Sequence, residues 1–241
     1  MRSPLDLFAQ LTLLDGAAIV AFAAAFFGYT PVIRLIGARR TLTGNFRAVR
    51  RRWMTNVLGK EVRIADAQMI GHIMSSAAFF ASTDVLLIAA VFGVLGSVES
   101  AHAAFARLSF VPDTGLELFE VKLLVMLFVL IAGFFRFSHA MRQFNYVVAL
   151  IGSAPVDPLP RNEAERRAVP IAKVMDNAIA DFNGGVRSYY FGFAVVAWLA
   201  GSAAFLVATL VVFAMLLHRQ TRSPTAQAVF RFLAKEDPPH G

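Results

Sequence analysis

Cysteine is absent from the 241-residue chain. Disulfides, thiolate catalysis and Cys-ligated zinc or iron–sulfur centres are thereby excluded. Charge is scarce too. Asp, Glu, Lys and Arg make up 16% of the residues, against about 25% in soluble domains. The motifs of common catalysis are missing: there is no Walker A loop, no G-x-S-x-G elbow and no H-E-x-x-H pair. Ser82 and Ser138 stand in no recognisable nucleophile setting, so no catalytic residue and no metal site is assigned. A cleavable signal peptide is not evident either. Only Arg2 precedes the first apolar run, and Asp6 and Asp15 stand where a basic region would be.

What the chain has instead is long apolar runs. Its hydrophobic fraction is 57% and its mean hydropathy +0.60, too apolar for an ordinary soluble domain. Crossing a hydrocarbon core of about 30 Å takes a helix of about 20 apolar residues. A helix is the sensible form, because backbone N–H and C=O groups in lipid must pair within the segment. The runs predict spans at about 16–36, 70–98, 118–138 (the helix continuing to about 151) and 189–217. The fold class is all-α: a polytopic membrane four-helix bundle with amphipathic interfacial helices, in one domain covering 1–241. The stretch from Ile70 to Val98 is the one the rest is organised around, because Asp84 stands near its middle.

Two polar segments carry helical periodicity. Asn45 is a plausible N-cap for a helix over 45–58, with Phe46, Val49, Trp53 and Val57 on one face. Arg47, Arg50, Arg51 and Arg52 occupy the rest, which predicts a helix in the interface with its arginines at headgroups. An ordinary topology-setting loop explains the same residues. A second amphipathic helix is expected over 162–183, opened by Asn162 with Glu165 and ended by Asn183-Gly184-Gly185.

The net charge is +7. In a soluble protein it would suggest nucleic acid. Here the basic residues flank apolar runs, so anionic phospholipid is the expected partner and nucleic acid is not. Stretches 34–68 and 136–188 hold 16 of the 23 Lys and Arg residues. The positive-inside rule then puts the first and third loops in the cytoplasm of a bacterial inner membrane, with both termini periplasmic. The basic tail after His218 dissents weakly.

Four blocks resemble a known family. They are FFGYT (26–30), IADAQMIGHIMSSAAFFAST (64–83), FSHAMRQFNYVVALIGSAP (137–155) and FNGGVRSYYFGFAVVAW (182–198). The chain resembles the uncharacterised membrane family catalogued as domain of unknown function 599, over nearly its whole length. It departs from the pattern in having Gly71-His72 where an Arg-Asn pair is expected. The resemblance implies four spans and supplies no activity.

Asp84 is the first candidate site. A carboxylate at mid-depth costs at least about 2.5–3.5 kcal/mol on insertion scales, and such residues mark proton or ion pathways. The bland alternative is a protonated or locally bonded residue at a helix contact. Ser82 lies only two residues away, so Asp84 points nearly opposite to the polar stripe of His72, Ser75, Ser76, Ser82 and Thr83. The second candidate is a basic pocket for an anionic headgroup or ligand, built from Arg136, His139, Arg142 and Asn145 with Asn183 and Arg187. Nonspecific headgroup contact is its alternative. The third is a histidine pair, His72 and His139, which could hold haem. Simple hydrogen bonding is commoner, and no cofactor is expected. The most concrete expectation is a small homo-oligomeric transporter or channel-like protein. The alternative is a non-catalytic accessory or scaffold subunit, binding anionic lipid and a membrane partner.

Overall fold

The computed structural model describes residues 12–109, 112 and 114–236. The chain is all-α. Its helices are α1 (Leu13–Ile36), α2 (Leu42–Leu58), α3 (Ile64–Leu95), α4 (Val98–Phe105), α5 (Leu116–Gly152), α6 (Arg161–Ala197), α7 (Ser202–Thr221) and α8 (Pro224–Glu236). Among the described residues, four stretches are long and apolar enough to cross a membrane: α1, α3, α5 and Ser202–Ala234. The helices contribute to two compact units. The first unit is Met1–Val32, Ser82–Phe134 and Val186–Leu216; the second is Ile33–Ala81, Phe135–Gly185 and Leu217–Gly241.

The first unit packs around aromatic rings. Phe22 of α1 lies 5.7 Å from Phe191 of α6 and 5.1 Å from Phe205 of α7, centroid to centroid. Its outer surface is also apolar: Val20, Phe27, Leu86, Phe128, Phe193 and Val207 are each more than half exposed. In water such a surface would drive association. In lipid it needs no cover, because hydrocarbon tails are as apolar as Leu.

The fourth span differs from expectation. Tyr189 to Leu217 is not one helix. Helix α6 ends at Ala197, a 3-10 turn covers Trp198–Ala200, and α7 starts at Ser202. Gly201 has φ +113°, which only glycine adopts readily. A Cβ there would also stand 3.3 Å from the Pro112 ring. Glycine is common inside membrane helices, so a lone Gly in an apolar run gives no clear break signal.

The break sets the direction of α7. Ser202 donates its hydroxyl to Asp15 at the start of α1. Further along, the Tyr29 hydroxyl donates to the Leu216 carbonyl at 3.4 Å. Helices α1 and α7 therefore run parallel, and they begin at the same end of the unit. The terminal residues 1–11 and 237–241 are themselves outside the described residues.

The second unit is built on α2, α3, α5 and α6. Met54, Val57, Leu58, Ile70, Phe144 and Met175 are all buried in its core. Helix α2 is capped by Thr41, whose Oγ1 accepts from the Gly44 N–H at 3.3 Å, so Asn45 is not the cap. The Asn45 side chain instead donates to the carbonyls of Ala38, Arg39 and Thr41. Helix α8 packs beside α2, and both Thr43 N and Thr43 Oγ1 donate to Gln220 Oε1 at 3.1 and 2.9 Å.

Helix α6 runs unbroken through Asn183-Gly184-Gly185, which corrects the expected stop at 183. The two glycines serve a contact instead. A Cβ on Gly184 would stand 2.6 Å from Arg136 Nη1, and one on Gly185 would stand 2.6 Å from Phe137 Cζ. A spacing that reads as a cap in sequence is a helix–helix crossing in space. The helix starts at Arg161, with Asn162 Oδ1 accepting from Glu163 N at 2.8 Å inside its first turn.

Candidate functional site

Asp84 is 1% exposed, on the part of α3 that belongs to the first unit. Gly133 of α5 clears the space beside it: a Cβ there would stand 3.0 Å from Asp84 Oδ2 and 3.3 Å from the Cβ of Ser188. The Tyr189 hydroxyl and the Asp84 carboxyl are hydrogen-bonded. Asp84 Oδ2 has no hydrogen-bond partner among the described residues. Three helices thus hold a carboxyl group in an apolar interior with one oxygen engaged. Tyr189 opens an aromatic run in the sequence. Its neighbours Tyr190 and Phe191 share its aromatic character, so sequence alone could not say which ring turns inward.

A second buried polar cluster in the first unit is absent from the expected sites. Asp15 is 5% exposed and Lys122 is 3% exposed. Asp15 Oδ2 accepts from Thr12 N at 2.9 Å and from Thr12 Oγ1 at 2.7 Å, and Oδ1 accepts from Ser202. Lys122 feels the Asp15 charge, and its Nζ stands 5.9 Å from the centre of the Trp198 ring. Both residues sit close to the ends of apolar runs, where charge is ordinary. Their burial depends on Ser202 and Trp198, far away in the chain.

The basic helix is partly reassigned. Arg47, Arg51 and Arg52 are exposed, as a headgroup-facing surface needs. Arg50 is not: it is buried, and its Nε bonds Asp176 Oδ1 at 2.5 Å. Trp53 faces protein. It packs against the core of the second unit and donates Nε1–H to Asp66 Oδ1 at 2.7 Å. A buried indole N–H needs an acceptor, and Asp66 provides it while also pairing with Lys60 at 2.9 Å.

The expected anion pocket is divided between the two units. Arg187 belongs to the first, stacked on Tyr29 at 4.7 Å with Nη2 donating to Thr30 Oγ1 at 3.3 Å. The others belong to the second. There Arg136 lies over Gly184, and His139 bonds its own helix at the Phe135 carbonyl. Arg142, Asn145 and Asn183 are exposed, and Gln143 donates to Asp181 at 2.5 Å. His72 and His139 are both exposed. No group of three or more potential metal ligands occurs among the described residues.

No curated protein and no solved structure matches the chain. A family model described as "Protein of unknown function, DUF599" matches residues 17–225, and the protein belongs to that family.

Proposed function

We propose that the protein is a small homo-oligomeric membrane transporter or channel-like protein, in which Asp84 holds the coupled proton or monovalent cation. One observation carries the reading: a carboxyl group 1% exposed, inside an apolar unit, with one oxygen unpartnered among the described residues. Burying such a group is costly, and packing alone would be better served by Leu or Ala.

The charge distribution supports an orientation. The second unit contains 19 of the 23 Lys and Arg residues, now including the basic tail. By the positive-inside rule those stretches face the cytoplasm of a bacterial inner membrane. Because α1 and α7 are parallel, α1 then starts on the periplasmic side and α7 ends on the cytoplasmic side.

Purified protein in liposomes tests the reading. A dye in the lumen reports pH under an imposed potential. The expected result is a protein-dependent flux that Asp84→Asn abolishes at an unchanged melting temperature. Normal flux in a folded Asp84→Asn variant removes the carboxyl group from the mechanism. No flux in the native protein removes proton transport.

The accessory reading has its own support in the exposed Arg47, Arg51 and Arg52. Charge reversal at Arg51 and Arg52 tests it by co-purification of anionic lipid and a membrane partner. Arg50 is unsuitable for that test, because its reversal would break an internal ion pair. Retention of both companions by the reversed variant counts against this reading.

A further inference from the structure

We propose that the ion held at Asp84 is a proton and that the site excludes sodium and potassium. The inference rests on the transport reading's choice of Asp84 and narrows its ion. The carboxyl group is 1% exposed and lies where three helices meet. Asp84 comes from α3, Gly133 from α5, and Ser188 and Tyr189 from α6. All three helices run unbroken through these residues: α3 from Ile64 to Leu95, α5 from Leu116 to Gly152 and α6 from Arg161 to Ala197. Their backbone carbonyls at this depth are therefore engaged in helix bonds.

An alkali cation in an apolar interior needs a shell of oxygens to replace its water. Membrane sites draw that shell largely from backbone carbonyls, freed where a helix is broken. The break at Trp198–Ala200 starts nine residues beyond Tyr189, about 14 Å along the helix. What α6 offers beside Asp84 is the Tyr189 hydroxyl, which is bonded to the carboxyl group. Space is equally short. A Cβ on Gly133 would stand 3.0 Å from Asp84 Oδ2, so even a methyl group crowds that oxygen, and an ion with its waters is larger.

A proton needs neither the shell nor the space. It forms one O–H bond on the carboxylate and leaves a neutral acid, which is far less costly to bury than the ion. Oδ2, without a hydrogen-bond partner among the described residues, is the oxygen open to it. Tyr189 serves both states: its hydroxyl donates to the carboxylate and, turned, accepts from the acid. The charged residues on the same helices have other neighbours. Lys122 stands 11 residues before Gly133, about 16 Å along α5, beside Trp198. Arg136 belongs to the second unit and lies over Gly184, and Arg187 is stacked on Tyr29.

Infrared spectroscopy of the detergent-purified protein reads the protonated carboxyl stretch through a pH titration. The titration is run in choline, sodium and potassium chloride at equal ionic strength. The expected result is a band lost in Asp84→Asn, with the same midpoint in all three salts. Tyr189→Phe keeps the acid and assigns the band by a frequency shift if Asp84→Asn fails to fold. A competing ion lowers the midpoint by up to about one pH unit for each tenfold rise in its concentration. Such a fall in sodium or potassium overturns the proposal, as does a band that never titrates, or no band that answers to either variant. Liposome flux separates this outcome from the transport reading. A cation-independent midpoint without flux removes transport and keeps the proton, whereas flux with a sodium-dependent midpoint keeps transport and removes the proton.

Discussion

Ser202 donates its hydroxyl to the carboxylate of Asp15, so α7 begins where α1 begins. The two residues lie 187 positions apart. This bond, with its companion from Tyr29 to Leu216, fixes the direction of the last apolar helix, and a labelling prediction follows. The native chain has no cysteine, so a single introduced thiol has no background. Ser109→Cys precedes α5, and Thr225→Cys follows α7 in the first turn of α8; both positions are exposed. A membrane-impermeant maleimide on intact cells should label Ser109→Cys and spare Thr225→Cys until the membrane is opened. Labelling of both from outside would restore the arrangement in which α7 leaves on the periplasmic side.

Arg50 and Asp176 form a largely buried pair, with side chains 9% and 13% exposed. Removing one partner of such a pair strands the other charge, at a cost of about 3–5 kcal/mol. Arg50→Ala should therefore unfold at markedly lower denaturant. The double variant Arg50→Met with Asp176→Leu should cost much less than the two single changes added together. Additive costs in denaturant titration would mean that the two side chains do not interact.

Gly185 carries a close crossing. An added Cβ would meet the Phe137 ring at 2.6 Å, whereas at Gly192 it would meet Met126 Sδ at an ordinary 3.9 Å. Gly185→Ala should cost about 1–3 kcal/mol, the range for overpacking. Gly192→Ala should be neutral or slightly stabilising, since Ala suits a helix better than Gly. Thermal unfolding of the two variants side by side separates crossing from propensity. Equal melting temperatures would show that α5 yields at Phe137.

Tyr189 provides the hydrogen bond to Asp84. Tyr189→Phe removes the hydroxyl and keeps the ring, which leaves the carboxyl group without that partner in an apolar interior. The expected loss is about 1–3 kcal/mol. Coupling of Tyr189→Phe with Asp84→Leu distinguishes the bond from ring packing. In the Asp84→Leu background the hydroxyl change should cost little, and a full cost there would locate the effect elsewhere.

Much of the candidate site was legible along the chain, but not its partners. Asp84 stands out because a carboxylate in an apolar run is rare. Gly133 and Tyr189 carry no such mark: Gly is common in membrane helices, and Tyr189 reads as one ring of an aromatic pair. The basic segment at 47–52 was legible as a helix, and its outward face at Arg47, Arg51 and Arg52 agrees with the exposure found. Arg50 differs because Asp176, 126 positions later, draws it inward. The burial of Lys122 and Asp15 is hidden in the sequence for the same reason. A charge near the end of an apolar run is unremarkable until distant residues close over it.

The sequence by itself determined the solvent and the class. Long apolar runs and scarce charge select a lipid environment, and lipid forces the backbone into helices, whatever the side chains do afterwards. The basic bias of the connecting stretches was likewise present in the order of residues alone. Tertiary structure decided the rest: the break at Gly201, the division into two units, the continuity of α6 through its glycines, and the pairing of Arg50 with Asp176. Each depends on contacts between residues far apart in the chain. Periodicity and composition describe one segment at a time, so they cannot fix which faces meet or in which direction a neighbouring helix runs.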